Sequence, residues 1–240
     1  MKMTLRQHAA AVRLEDGWWV TGLCNFSSWF SIKNQKEKSK TFILGGYDFD
    51  KEETDSTELW DGQSWRSHDP LPVPTMDHCL VRLNHTHVFL TGGFDGGSYG
   101  AASYFYSKAT GFVKAPDMLG KRVRHSCGLH DGRFVIVAGG DGDDIQKTPK
   151  SSQYFNLETL TWHEGPSVDT YDFGQHLVSW GSHTYCIGRK IIWELVKSAE
   201  DDEGNVEHIW EWVKVGETES DRRFNFQAFL VSSQDCKGWK

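Results

Sequence analysis

The chain has 240 residues, 38% hydrophobic and 25% charged, a composition that excludes wholesale disorder and suits a packed core. Its net charge of −7 and pI of about 5.9 exclude a large positive field along a nucleic-acid backbone, so nucleic acid is not an expected partner. Apolar runs such as 134–138 are too short to cross a bilayer, and the opening MKMTLRQHAAAV has no apolar signal-peptide core. A soluble chain with no membrane span is expected.

In chain order, residues 8–22, HAAAVRLEDGWWVTG, read as a strand, an Asp16-Gly17 turn and a second strand through Trp18, Trp19 and Val20. Asp-Gly between apolar runs signals a hairpin, because both central residues of a type I′ turn take positive φ. The glycine pair expected next arrives only at Gly45-Gly46. The polar stretch before it carries a basic run from Lys33 to Lys40, so residues 23–45 are expected to be an inserted surface loop. An acidic loop with Asp48, Asp50 and Glu52 then leads to a strand ending at Trp60, a turn at Asp61-Gly62, and a strand from Trp65.

From here the pattern repeats. His78 recurs as His125, Gly92 as Gly139 and Trp65 as Phe112, and each step (125 − 78, 139 − 92, 112 − 65) is 47 residues. A fixed period of this size marks units too small to bury their own apolar face, which stack on like neighbours. The units are expected at about 6–70 with the insertion, 76–117, 123–167 and 174–216, with a partial one at 222–240, all in one domain. Each reads as a four-stranded meander, and no segment shows helical spacing over a sufficient length. The second strands VFLTGG and FVIVAGG are apolar at consecutive positions, as strands covered on both faces are. His8, His78, His125 and His176 open the first strand of successive units, and a residue copied into each unit is expected to pack and hydrogen-bond rather than ligate or catalyse.

Five cysteines (Cys24, Cys79, Cys127, Cys186, Cys236) are odd in number, widely spaced and without CxxC. Zinc is disfavoured, no disulfide framework can be read, and Cys79, Cys127 and Cys186 are expected to act as small buried apolar groups. Two acceptor triplets for N-glycosylation occur, at Asn25 and Asn84.

The landmarks resemble kelch repeats, whose units carry a glycine doublet and aromatics on the third and fourth strands. Here these are Gly45-Gly46, Gly92-Gly93 and Gly139-Gly140, then Trp60, Phe105 and Phe155, then Trp65, Phe112 and Trp162. The resemblance implies an all-β, kelch-type β-propeller of four-stranded antiparallel blades around a channel, with about four blades and a partial fifth. The fourth unit departs from it by lacking the doublet, and Phe112 stands where Trp is usual.

In a meander, the loop between strands two and three opens on the same face as the connection from strand four to the next blade. That loop face collects Asp48, Asp50, Asp95, Tyr99, Arg122, Arg124, Asp141, Asp143, Asp144, Tyr171 and Asp172, residues that differ between copies. A non-enzymatic scaffold binding a protein partner there is expected, with no cofactor and no metal. The resemblance implies a cytoplasmic home; an extracellular one is the alternative if Asn84 is glycosylated and the N-terminus is incomplete. A carbohydrate-active reading stands beside it, because propellers with this resemblance, such as galactose oxidases and sialic acid mutarotases, act on sugars. A glycan ligand belongs to that reading, and His68, His130, His163 and His183 are its unrepeated histidines.

Overall fold

The computed structural model describes residues 10–14, 40–46, 53–60, 63–84, 86–143, 150–168, 176–188, 191–198 and 209–217. These form four antiparallel sheets, each of four consecutive strands paired in chain order. Blade 1 comprises β1 (Ala10–Leu14), β2 (Lys40–Leu44), β3 (Thr57–Trp60) and β4 (Trp65–Ser67), and blade 2 comprises β5 (Cys79–Arg82), β6 (His87–Thr91), β7 (Ser103–Ser107) and β8 (Gly111–Ala115). Blade 3 is β9 (Ser126–His130), β10 (Phe134–Ala138), β11 (Ser152–Asn156) and β12 (Thr161–Glu164); blade 4 is β13 (His176–Trp180), β14 (His183–Ile187), β15 (Ile191–Lys197) and β16 (Trp210–Glu217). First strands neighbour first strands, β1 beside β5, β5 beside β9 and β9 beside β13. This is a β-propeller.

The core lies between blades, because strand residues alternate between the two faces of each sheet. At the junction of blades 2 and 3, Phe89 stacks on Phe155 at 4.9 Å, Trp162 lies 5.2 Å from Phe155, and Phe105 lies 4.9 Å from Phe89. Trp162 also donates its Nε1–H to the Pro116 carbonyl at 2.9 Å, tying blade 3 to the exit of blade 2. Phe112 has no such donor and packs on Tyr106 at 4.6 Å, within the cluster joining blades 1 and 2 that includes Phe42, Leu44 and Leu80. Between blades 3 and 4, Trp210 meets Phe134 at 4.7 Å and Tyr154 at 4.9 Å.

The first glycine of a doublet sits against the entry of the next blade, as Gly45 does at Thr75 and Gly92 at Arg122. Gly92 has φ +62°, and a Cβ there would lie 2.4 Å from the Arg122 carbonyl and 2.6 Å from the His125 ring. The Gly93 N–H donates to that same carbonyl at 2.9 Å, and Gly46 N–H donates likewise to Thr75. Thus His125 rests on the doublet of the preceding blade, and only a residue without a side chain admits it.

Four expectations need correcting. Cys79 and Cys127 are disulfide-bonded, with Cα atoms 6.0 Å apart, so they are not merely small apolar groups; Cys186 is buried and stands outside that disulfide. The strand paired with β1 is Lys40–Leu44, so residues 40–45 of the expected insertion belong to the sheet and its doublet, while Trp18–Val20 lies outside the described residues. His176 is out of phase: it pairs with Ile187 as Ser126 pairs with Ala138 and Cys79 with Thr91, which puts it one place beyond the slot of His78 and His125. Arg122 is buried, as described below. His8 and the partial unit at 222–240 lie outside the described residues.

Candidate functional site

Two backbone bridges build the loop face. Past each doublet the chain pairs back to the residue two before the first strand's histidine: Phe94 with Met76 in blade 2, and Asp141 with Val123 in blade 3. Between bridge and histidine stands one residue, Asp77 in blade 2 and Arg124 in blade 3, again 47 apart. Both take positive φ, 53° and 55°, which is uncommon outside glycine and marks a locally imposed backbone. The Arg124 N–H donates to the Asp77 carbonyl at 2.8 Å, so the two slots touch across the blade junction.

Their side chains form a charged bridge. Arg124 Nη2 lies 3.0 Å from Asp141 Oδ2 and its Nε lies 3.8 Å from Asp77 Oδ2; Arg124 is 44% exposed whereas Asp77 is 7% exposed. Burial raises the Asp141 carboxyl above its ordinary value, with Arg124 opposing and Asp77 adding to the rise. Beside it Lys121 pairs with Asp143 at 3.4 Å, both well exposed. A guanidinium held between two carboxylates is a preorganised donor array for a polar or charged partner group.

The residues anticipated from sequence divide into three groups. Arg124, Asp141 and Asp143 come together around this bridge with Lys121. Asp95 and Tyr99 sit on the β6–β7 loop of blade 2, where Tyr99 pairs edge-on with Phe94 at 6.0 Å and Asp95 accepts from the Gly97 and Ser98 amides. Those two bonds hold the Asp95 carboxyl below its usual range. Arg122 belongs to neither group, since it is 2% exposed. Its Nη1 donates to the carbonyls of Gly139 and Ser151 at 2.8 and 3.2 Å and its Nη2 to Ser151 Oγ at 2.6 Å. Burial pulls its pKa down to about 10 against the pull of Glu164. Arg122 therefore pins the doublet and third strand of blade 3 and is closed to a partner. Asp48, Asp50, Asp144, Tyr171 and Asp172 lie outside the described residues.

Asp77 was not anticipated, although a signal existed. The residue before each repeated histidine changes from copy to copy, Asp77 then Arg124, while the histidine stays. A variable residue next to a repeated one marks a slot whose backbone is fixed and whose chemistry is open.

His78 and His125 are both buried at blade junctions. His125 Nε2 lies 2.7 Å from Thr91 Oγ1, the residue before the doublet it covers. The matching residue beneath His78 is Leu44, so neither ring nitrogen of His78 has a hydrogen-bond partner among the described residues. Burial lowers their pKa to about 3 for His125 and about 4 for His78. The unrepeated histidines are dispersed: His68 lies 2.8 Å from the Tyr106 hydroxyl, His130 is 3.0 Å from Thr184 Oγ1, His163 is 2.8 Å from Thr161 Oγ1, and His183 is 2.9 Å from Glu194 Oε1. Among the described residues no group of three or more His, Cys, Asp or Glu is placed to hold a metal ion, and no helix is long and apolar enough to cross a membrane.

Comparison with known proteins bears on the architecture. The solved structure of YjhT superposes with a TM-score of 0.54 at 15% identity, covering 75% of this chain and 63% of that one. At that identity the likeness shows the fold alone. This chain spans 63% of the length of YjhT. No protein-family model matches the sequence, and no curated protein does.

Proposed function

We propose that the chain is a kelch-type interaction scaffold, without catalytic activity of its own, that binds a protein partner on the face where the strand 2–3 loops and the strand 4–1 connections meet. The observation that carries this reading is the Asp77–Arg124–Asp141 bridge, which is rigidly mounted, partly exposed and assembled from slots that vary between otherwise repeating blades. Rigid scaffolds with variable loops are the usual platform for recognition. The acidic residues Asp95, Asp141 and Asp143 and a net charge of −7 favour a partner segment with basic groups.

The test is capture of partners from extract by the purified chain and by an Asp141→Lys/Asp143→Lys variant, identified by mass spectrometry at low and high salt. A partner of this face should be recovered about tenfold less by the variant at low salt, with the difference shrinking as salt rises. Thermal stability should stay within about 1 kcal/mol of the parent. Equal recovery by both proteins at low salt overturns the reading.

A further inference from the structure

The tip of the β5–β6 hairpin carries Asn84-His85-Thr86, the residue pattern that accepts N-linked glycans. The pattern alone is weak, because six asparagines supply about one such triplet by chance. Two features of the fold strengthen it.

The first is presentation of the acceptor. Asn84 and Thr86 are both exposed. The Asn84 Oδ1 accepts from the Thr86 N–H at 2.9 Å, the His87 N–H at 3.0 Å and the Thr86 hydroxyl at 3.1 Å. The hydroxyl is thus folded against the carboxamide, whose oxygen is engaged while Nδ2 makes no hydrogen bond with the described residues. Equivalent hairpin tips elsewhere hold Asp131-Gly132 and Gly181-Ser182, with no acceptor.

The second feature lies in the core, independent of the first. Cys79 and Cys127, 4% and 0% exposed, join the first strands of blades 2 and 3 as a disulfide. Disulfides form and persist in oxidising compartments, and those of the secretory route are also where glycans are transferred to asparagine.

We propose that Asn84 bears an N-linked glycan, acquired as the chain passes through the oxidising compartment in which Cys79 and Cys127 are joined. The Asn84 Nδ2 forms a bond to the anomeric carbon of a lipid-pyrophosphate-linked oligosaccharide. The bond from that carbon to the pyrophosphate oxygen breaks, the lipid pyrophosphate leaves with the electron pair, and an amide proton passes to a base on the transferase. In the same compartment each thiol gives up its proton and the electron pair reduces a disulfide-form oxidoreductase. The strand 1–2 tips lie at the opposite end of the blades from the loop face, so the glycan leaves the partner surface open. The inference does not depend on what binds there.

The experiment uses the natural protein recovered from cells expressing its own full transcript, digested with an N-glycan amidase and mapped by peptide mass under non-reducing conditions. Conversion of Asn84 to aspartate by the amidase, together with a Cys79–Cys127 cross-linked peptide, is the expected result. Asn84→Gln and Thr86→Val should each abolish the gel shift attributable to this site. An unmodified Asn84 peptide overturns the proposal whatever Asn25 carries. So does free alkylation of Cys79 and Cys127 in the untreated protein. Site occupancy is read on the parent protein, so a poorly folding variant does not blunt the test.

Discussion

Blades 2 and 3 and blades 3 and 4 meet along equivalent strands but are joined by different chemistry. On the inner strands, Cys79 of blade 2 is bonded to Cys127 of blade 3, whereas the matching slot in blade 3 is Ser126, whose Oγ accepts the Leu177 N–H at 2.7 Å. Two residues on, Val81 corresponds to Gly128, where an added Cβ would lie 2.3 Å from Ser179 Oγ. The first junction is a broad aromatic stack with a covalent bridge; the second brings backbones together over small residues and moves its rings outward to Trp210 and Trp212. The histidine of blade 4 falls one place beyond the slot filled by His78 and His125. The period thus keeps the strand order of a blade but leaves each junction to its own solution.

The strongest way to break the first junction is Phe155→Ala, which removes the ring between Phe89 and Trp162. It should cost about 3–5 kcal/mol in urea-induced unfolding, because the cavity cannot collapse between two sheets. Replacing both Cys79 and Cys127 by serine should cost about 2–4 kcal/mol through release of the unfolded chain, and reductant should then no longer lower the melting temperature. A parent protein insensitive to reductant would contradict this.

Acid should single out the junctions that rest on histidine. The folded state holds His78 neutral down to about pH 4, while the unfolded chain takes up its proton near the ordinary value of 6.5. Stability from this residue is therefore complete above the upper value and is lost progressively as pH falls between the two. The loss from about pH 7 to about pH 5 should be on the order of 2 kcal/mol, and His78→Gln should flatten that slope. At the second junction Gly128→Ala should cost about 1 kcal/mol, recovered in part by Ser179→Gly, since the clash is with a short side chain. The smallest effect is expected on the surface, where Lys121→Ala should change stability by less than about 0.5 kcal/mol.

Much of the blade was legible in sequence because packing between identical neighbours imposes a period. Gly92 and Gly139 fall 47 residues apart, Phe105 and Phe155 and likewise Phe112 and Trp162 fall 50 apart, and these rings lie at the junctions. His176 misled because the blade 4 hairpin is one residue shorter than that of blade 3, so counting from the strand start slips the register that pairing fixes. The Asp16-Gly17 turn gave no sign that β1 pairs with Lys40–Leu44, because a local turn signal is silent about pairing at longer range. At the candidate site, Asp141 and Arg124 were visible as variable loop residues. Arg122, two residues away, looked the same in sequence but points inward.

The amino-acid sequence determined the repeat, the all-β meander and the residues able to fill a junction, because these follow from spacing and local propensity. Only the tertiary structure decided which partner each residue meets: that Cys79 finds Cys127, one step off the period, and that Asp77, Arg124 and Asp141 share a site. The Cys79–Cys127 and Asp77–Arg124 meetings occur across blades, between residues whose separation along the chain carries no local signal, and they are set by how one twisted sheet seats against the next.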